Sequence, residues 1–315
     1  LFQTGVDLCL AENIGRASRV ESAAGRYVET AKSTFPTGKR LDGLKVVIDC
    51  ANGAAYRTAP EVLWELGAEV IPIGVEPNGY NINQNVGSTA PEAAVKSVLE
   101  NNADVGICVD GDADRITIID EKGQIANGDQ IMGLITKRWA EKDILKGGAL
   151  VATVMSNLGL ERWLEQQGIG LHRTNVGDRY VVDAMRKGGF NLGGEQSGHI
   201  IMKDYATTGD GLLAGLQFLA TLVETGKPAS EIAQVFTPCP QEIENVKYIA
   251  GNAPLENEKV KAIIKESNAI LAGKGRILIR ESGTEPLIRV MVEAEDETLL
   301  SQVIGDVVQA VQSAA

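Results

Sequence analysis

Short β-branched runs alternate with helical patterns along most of this 315-residue chain, and that rhythm restricts its fold more than any other feature. "LKVVIDC" (44–50) reads as a buried strand, "APEVLWELG" (59–67) as a helix and "EVIPIG" (69–74) as a strand. "PEAAVKSVLENN" (91–102) and "ADVGICVD" (103–110) repeat the helix–strand step. Parallel neighbours need crossover connections that cover the sheet with helices, so the rhythm predicts α/β units with mostly parallel or mixed sheets in three layers. A second cycle runs through helix 128–142, strand 149–155, helix 157–167, strand 170–174, helix 179–187 and the segment 190–202. A helix over 209–225 closes it, with Thr208 as N-cap and Asp210 in the first turn. After "TPCPQ" the order becomes strand 242–249, helix 255–271, strands 275–280 and 286–294, and helix 297–313. That order predicts a small α+β C-terminal domain with an antiparallel pair.

The chain is longer than a single growing core sustains, which agrees with several domains. The expected division is 21–127, 128–240 and 241–315. Residues 1–20 fit no unit and are read as the exit segment of a preceding domain. A net charge of −12 and an aromatic content of 4% argue against duplex binding and against stacking platforms for single strands. The four cysteines form no CxxC pair, and Cys50 and Cys108 lie in apolar runs, as buried free thiols in a reducing compartment would. Two histidines are too few for a zinc enzyme built on imidazole. "GLLAGLQFLATLV" is too short and interrupted for a membrane span, and no signal peptide opens the chain, so the cytosol is the expected location.

Three loops carry chemistry. "DGDADRITIID" (110–120) puts Asp110, Asp112 and Asp114 at alternate positions after a strand, where ligands of parallel sheets gather. In an extended loop alternate residues share a side, so the three carboxylates can converge on a hard cation such as magnesium or manganese. An EF-hand is excluded, because the sixth position is Arg115 where that loop needs glycine. The plainer alternative is an acidic turn. In "GGEQSGH" (193–199) Glu195, Ser197 and His199 alternate between glycines, a pattern suited to sugar hydroxyls, with a decorated hairpin as the alternative. "RESGTEPLIR" (280–289) offers Ser282, Gly283 and Thr284 as an anion nest flanked by Arg280 and Arg289. There the alternative is a surface turn with Arg280 paired to Glu281 or Glu285. "TNVGDRYV" (174–181) is a fourth candidate, although Asp178 can simply cap a helix beginning at Arg179.

In this order, with "CANGAA", "EPNGYNIN", "VGDRYV" and "TTGDG" between them, these motifs resemble the α-D-phosphohexomutase superfamily from about Ala17 to the C-terminus. Glutamine in "GEQSGH" and glycine in "SGTEP" favour its glucosamine branch over phosphoglucomutase/phosphomannomutase relatives, which tend toward "GEMSGH" and "SNT". The resemblance implies interconversion of glucosamine 6-phosphate and glucosamine 1-phosphate, on the route to cell-wall amino sugars, through a phosphoserine and a sugar 1,6-bisphosphate. It implies Mg²⁺ on Asp110, Asp112 and Asp114, and Arg115 at the reacting phosphate. It further implies Glu195, Ser197 and His199 around the sugar, with Gly177, Asp178 and Arg179 beside it. Arg280, Ser282, Gly283, Thr284 and Arg289 would hold the other phosphate.

Two departures stand out. No "SASHNP"-like phosphoserine motif occurs: Ser18, Ser22 and Ser33 sit in "GRASRV", "VESAAG" and "AKSTF". The chain is therefore expected to lack the phosphoserine domain and to be inactive alone. Asn175 also stands where relatives often carry lysine. A naturally short sugar-phosphate-binding protein and a metal-dependent phosphatase remain open as alternatives. The expected partner is a small hexosamine phosphate, with a homodimer left open, and neither nucleic acid nor membrane is expected.

Overall fold

A computed structural model describes residues 9–249, 251–282 and 285–315. The first unit contains α1 (Ala23–Ser33), β1 (Lys45–Asp49), α2 (Thr58–Glu65), β2 (Glu69–Ile73), α3 (Glu92–Asn101), β3 (Val105–Val109), β4 (Ile116–Asp120) and β5 (Ile125–Ala126). Its sheet order is β2-β1-β3-β4-β5, parallel around β1 and antiparallel from β3 onward. Strand periodicity makes the layers. Val46 and Ile48 face a core with Val28 of α1 and Val62 of α2, while Val47 and Cys108 face Ala94 and Val98 of α3.

The second unit contains α4 (Gly128–Glu141), β6 (Ala149–Thr153), α5 (Leu158–Gln166), β7 (Gly170–Thr174), α6 (Asp178–Gly188), β8 (Leu192–Gly194), β9 (Ile200–Met202), α7 (Gly211–Thr225) and α8 (Ala229–Ile232). Its order, β7-β6-β8-β9, repeats the first: two parallel neighbours around the leading strand, then an antiparallel hairpin. Val151 packs with Val181 and Met185 of α6, and Leu150 and Ala152 enter the larger core. The predicted α/β class therefore holds for both units.

Helix α7 holds the apolar run noted above and is buried from Gly211 through Leu222. Gly215 lets it approach Ile107 and Ile116 of the first sheet, so the two units share one core. It begins two residues later than expected. Asp210, and not Thr208, is the N-cap, its side chain accepting from the Leu213 N–H at 2.9 Å. Among the described residues no helix is long and apolar enough to cross a membrane. All four cysteines are free, and burial pushes the Cys50 thiol up to about 12.

The C-terminal unit contains β10 (Gln241–Lys247), α9 (Glu258–Leu271), β11 (Gly275–Glu281), β12 (Leu287–Ala294) and α10 (Glu297–Ala314). Its sheet, β10-β12-β11, is antiparallel throughout. Val290, Val292, Val303 and Val307 belong to a core of its own.

Candidate active site

The aspartate loop fills the β3–β4 hairpin. Its carboxylates converge through a turn and not through the extended alternation predicted above. The Ala113 N–H donates to the Asp110 carbonyl at 3.0 Å, and Ala113 adopts φ +62°. An alanine in the left-handed region costs roughly 1–2 kcal/mol, so the surroundings must hold it there. They do: the Gly211 N–H donates to the Ala113 carbonyl at 2.9 Å, and the Ala54 N–H to the Gly111 carbonyl at 2.8 Å. The Arg115 N–H donates to Asp110 Oδ1 at 3.1 Å.

One oxygen from each of Asp110, Asp112 and Asp114 lies within 4.8 Å of the others. Magnesium bonds of about 2.1 Å span ligands up to about 4.2 Å apart, so the loop fits such a cation with a small inward shift. Asp114 Oδ1 supports that fit, being buried without a hydrogen-bond partner. Burial raises the Asp110 pKa, with the neighbouring Asp114 and Asp112 charges adding to it; the Arg115 N–H and guanidinium act in opposition. Arg115 Nε stands 3.7 Å from Asp110 and 3.8 Å from Asp114, half exposed.

The second loop fills the equivalent hairpin, β8–β9, and it too is a turn, closed by the Gly198 N–H on the Glu195 carbonyl at 3.0 Å. The two hairpin loops touch. Arg115 and His199 form an antiparallel bridge, and the Ile116 N–H donates to the Gly198 carbonyl at 3.1 Å. A Cβ on Gly198 would lie 2.1 Å from the Ile116 carbonyl oxygen, and its φ is +93°. Buried His199 brings Nδ1 to 3.0 Å from Asp114 Oδ2, so it meets the aspartate loop directly. Glu195 Oε1 accepts from the Gly177 N–H at 2.9 Å, which draws the 174–181 segment to the same place. Ser197 is exposed at the tip of the loop.

Asp178 is the first residue of α6, and Gly177 holds the cap position at φ +124°. Asp178 accepts from the Arg179 N–H, and the Arg179 guanidinium lies 4.6 Å over the Tyr180 ring. Arg280 and Arg289 stand directly opposite each other on β11 and β12. With Met155, Asn245 and others they line a cavity of about 130 Å³. Opposed like charges destabilise a strand pair. Among the described residues neither arginine forms an ion pair, with Glu281, Glu285 or any other carboxylate. The Ser282 N–H donates to the Leu287 carbonyl at 2.7 Å. Gly283 and Thr284 lie outside the described residues.

Sequence reading passed over Asp129 and Asn157, and used Gln196 only as a marker of the branch. Asp129 looks like an ordinary acidic residue in a first helical turn, and Asn157 like an ordinary N-cap. The signal available was adjacency, because Asp129 follows a helix start and Gln196 sits inside a motif already singled out.

Family models described as phosphoglucomutase/phosphomannomutase alpha/beta/alpha domain II, alpha/beta/alpha domain III and C-terminal domain match residues 25–123, 127–239 and 238–310. A phosphoglucosamine mutase of Paracoccus denitrificans is 65% identical over 304 residues, covering 96% of this chain and 68% of the relative. That of a Ruegeria strain is 62% identical over 314 residues, covering 100% of this chain and 70% of the relative. Among solved structures, a phosphoglucomutase/phosphomannomutase family protein of Burkholderia thailandensis superposes with a TM-score of 0.73 at 22% identity, covering 92% of this chain and 64% of that one. An Aspergillus fumigatus N-acetylphosphoglucosamine mutase, solved in complex with GlcNAc-6P and magnesium, gives 0.72 at 21%, covering 93% and 66%. The chain thus spans about two-thirds of the length of the proteins it matches. These matches run the length of the chain and agree with one another, so the chain belongs to the phosphoglucosamine mutases, isomerases built from phosphoglucomutase/phosphomannomutase domains.

Proposed function

We propose that these 315 residues supply the cation and substrate sites of a cytosolic mutase that interconverts glucosamine 6-phosphate and glucosamine 1-phosphate. The observation that carries this reading is the contact between the two hairpin loops, with His199 on Asp114 and the Arg115–His199 bridge. A carboxylate cluster and a polyol-binding loop then open on one place. The names of the relatives favour the glucosamine substrate.

In this proposal Asp110, Asp112 and Asp114 hold Mg²⁺, which neutralises charge on the transferring phosphoryl group. Arg115 steadies the same charge from the side of the loop. Glu195 already accepts the Gly177 N–H with one oxygen, and its other oxygen takes a sugar hydroxyl beside Ser197 and the 177–179 backbone. His199 lines the pocket and holds Asp114 in place. Arg280 and Arg289, with Ser282, Gly283 and Thr284, grip the non-reacting phosphate, whose dianion relieves the opposed arginine charges. The working units are 21–127, 128–240 and 241–315. The phosphoryl group itself travels on a serine that no motif in this sequence matches, through a sugar 1,6-bisphosphate, so these residues bind without turning over.

Phosphorus NMR with glucosamine 1-phosphate, Mg²⁺ and a catalytic trace of sugar 1,6-bisphosphate tests this. The expected spectrum is unchanged substrate, while calorimetric titration shows Mg²⁺-dependent binding of the sugar phosphate. Asp112→Asn should lower Mg²⁺ affinity about tenfold, the equivalent of ~1.4 kcal/mol. A growing 6-phosphate signal would show that a residue present here carries the phosphoryl group, and release of inorganic phosphate would make the chain a phosphatase. No binding of sugar phosphate would sink the reading altogether.

A further inference from the structure

We infer that Asp129, a residue with no assigned role, is a positioning residue that fixes the sugar-side loop relative to the arginine-bearing strand pair. The inference rests on the substrate reading above and deepens it.

Asp129 lies in the first turn of α4 and is fully buried. Its Oδ2 accepts two hydrogen bonds, from the side-chain amide of Gln196 at 3.1 Å and from the Asn157 N–H at 2.8 Å. One carboxylate oxygen therefore joins the sugar-side loop to the 156–158 turn that follows β6. The fit on the loop side is close. The Gly128 N–H donates to the Gln196 carbonyl at 3.1 Å, and a Cβ on Gly128 would sit 2.5 Å from the Glu195 carbonyl oxygen.

The 156–158 turn also anchors the C-terminal unit. The Ser156 carbonyl accepts from Arg276, on β11, at 2.6 Å, and Glu293, on β12, accepts from the Leu158 N–H at 3.1 Å. Arg276 and Glu293 are ion-paired and directly opposite in the strand register, and Glu293 is fully buried. The same two strands carry Arg280 and Arg289, each four positions along, or about 13 Å. The side chain of Asn157 adds a third tie. It accepts from the Cys239 N–H at 2.8 Å and donates to the Cys239 carbonyl at 3.0 Å, pinning the linker just before the C-terminal unit.

Two substrate-facing surfaces on different units thus hang from one three-residue turn, and Asp129 is the link on the sugar side. Such a link sets the span between hydroxyl recognition at Glu195 and phosphate recognition at Arg280 and Arg289. A ligand that uses both surfaces feels that span, whereas a ligand that uses only the arginines does not. Asp129 is placed to discriminate by length.

The test uses calorimetric titration of the full chain with two probes, glucosamine 6-phosphate and inorganic phosphate. Asp129→Ala should weaken the sugar phosphate about tenfold and leave inorganic phosphate unchanged. Asp129→Asn retains an acceptor at the shared position and should stay within about threefold of the parent. Gln196→Ala cuts the same bond from the half-buried loop end, and decides the matter if Asp129→Ala does not fold. Where both fold, the double variant should be no worse than either single one. Equal losses for both probes, additive losses in the double variant, or an unaffected Gln196→Ala would overturn the positioning role. A parent chain that binds inorganic phosphate but not the sugar phosphate would overturn the substrate reading itself, a separate result seen before any variant is made.

Discussion

At the residue scale, backbone conformation does much of the work that the side chains receive credit for. The aspartates converge because Ala113 turns left-handed, and the two hairpin loops meet because Gly198 carries no Cβ. Gly198→Ala must both occupy φ +93° and move the Ile116 carbonyl, so a loss of about 2 kcal/mol or more is expected in urea unfolding. A neutral result would mean that the contact between the loops is slack. The residue types of the site were legible in the sequence: three carboxylates at alternate positions, glutamate and serine between glycines, two arginines flanking a turn. Their geometry was not. Alternation suggested an extended loop, and a positive φ at an alanine leaves no mark on a hydrophobic pattern.

At the scale of elements, β-branched runs and apolar spacing located most strands to within about two residues, whereas β5 was not expected and β8 and β9 stood only as the segment 190–202. Strands β3 and β4, buried throughout, show the continuous apolar run that burial on both faces demands. Helix α1 left no such signal, since only Val28 and Ala31 of its eleven residues are buried. Helix α7 was legible as a helix but not as the wedge between two sheets. Its far end is tied to α4 by Arg138, which donates to Glu224 at 2.9 and 3.0 Å, and by Lys142 at 2.6 Å. Arg138 chiefly holds the Glu224 pKa down, from an ordinary 4.5 to about 2. A carboxylate whose folded pKa is depressed stabilises the fold fully above its unfolded value, and that contribution fades as pH falls from about 4.5 toward 2. Glu224→Gln should therefore cost roughly 1 kcal/mol at neutral pH, after allowance for solvent screening. Chemical denaturation at stepped pH should show the gap to the parent closing across that window. A gap independent of pH would assign the effect to packing.

For the whole molecule, the rhythm of the sequence changes before the C-terminal strands, and the two largest core clusters lie one in the α/β part and one in the antiparallel part. The fusion of the first two sheets around α7 was not legible, because contacts spanning about a hundred residues leave no local periodicity. Scanning calorimetry should accordingly resolve two unfolding events, the larger from the fused pair and the smaller from the antiparallel unit. Glu293→Ala, which removes a buried tie between them, should lower the smaller event and spare the larger. A single event that shifts as one would mean that the ties through the 156–158 turn couple the whole chain.

The repeated sheet order has a consequence for how such a chain can vary. Both candidate-site loops occupy the same topological address, the hairpin that ends each parallel run, and they are stitched to each other there. Most surface loops absorb insertions at slight entropic cost. These two cannot, since one added residue in either would break the shared bridge and part His199 from Asp114. Across descendants of this sequence the two hairpins should keep a constant length, with insertions and deletions gathering on the opposite edge of each sheet.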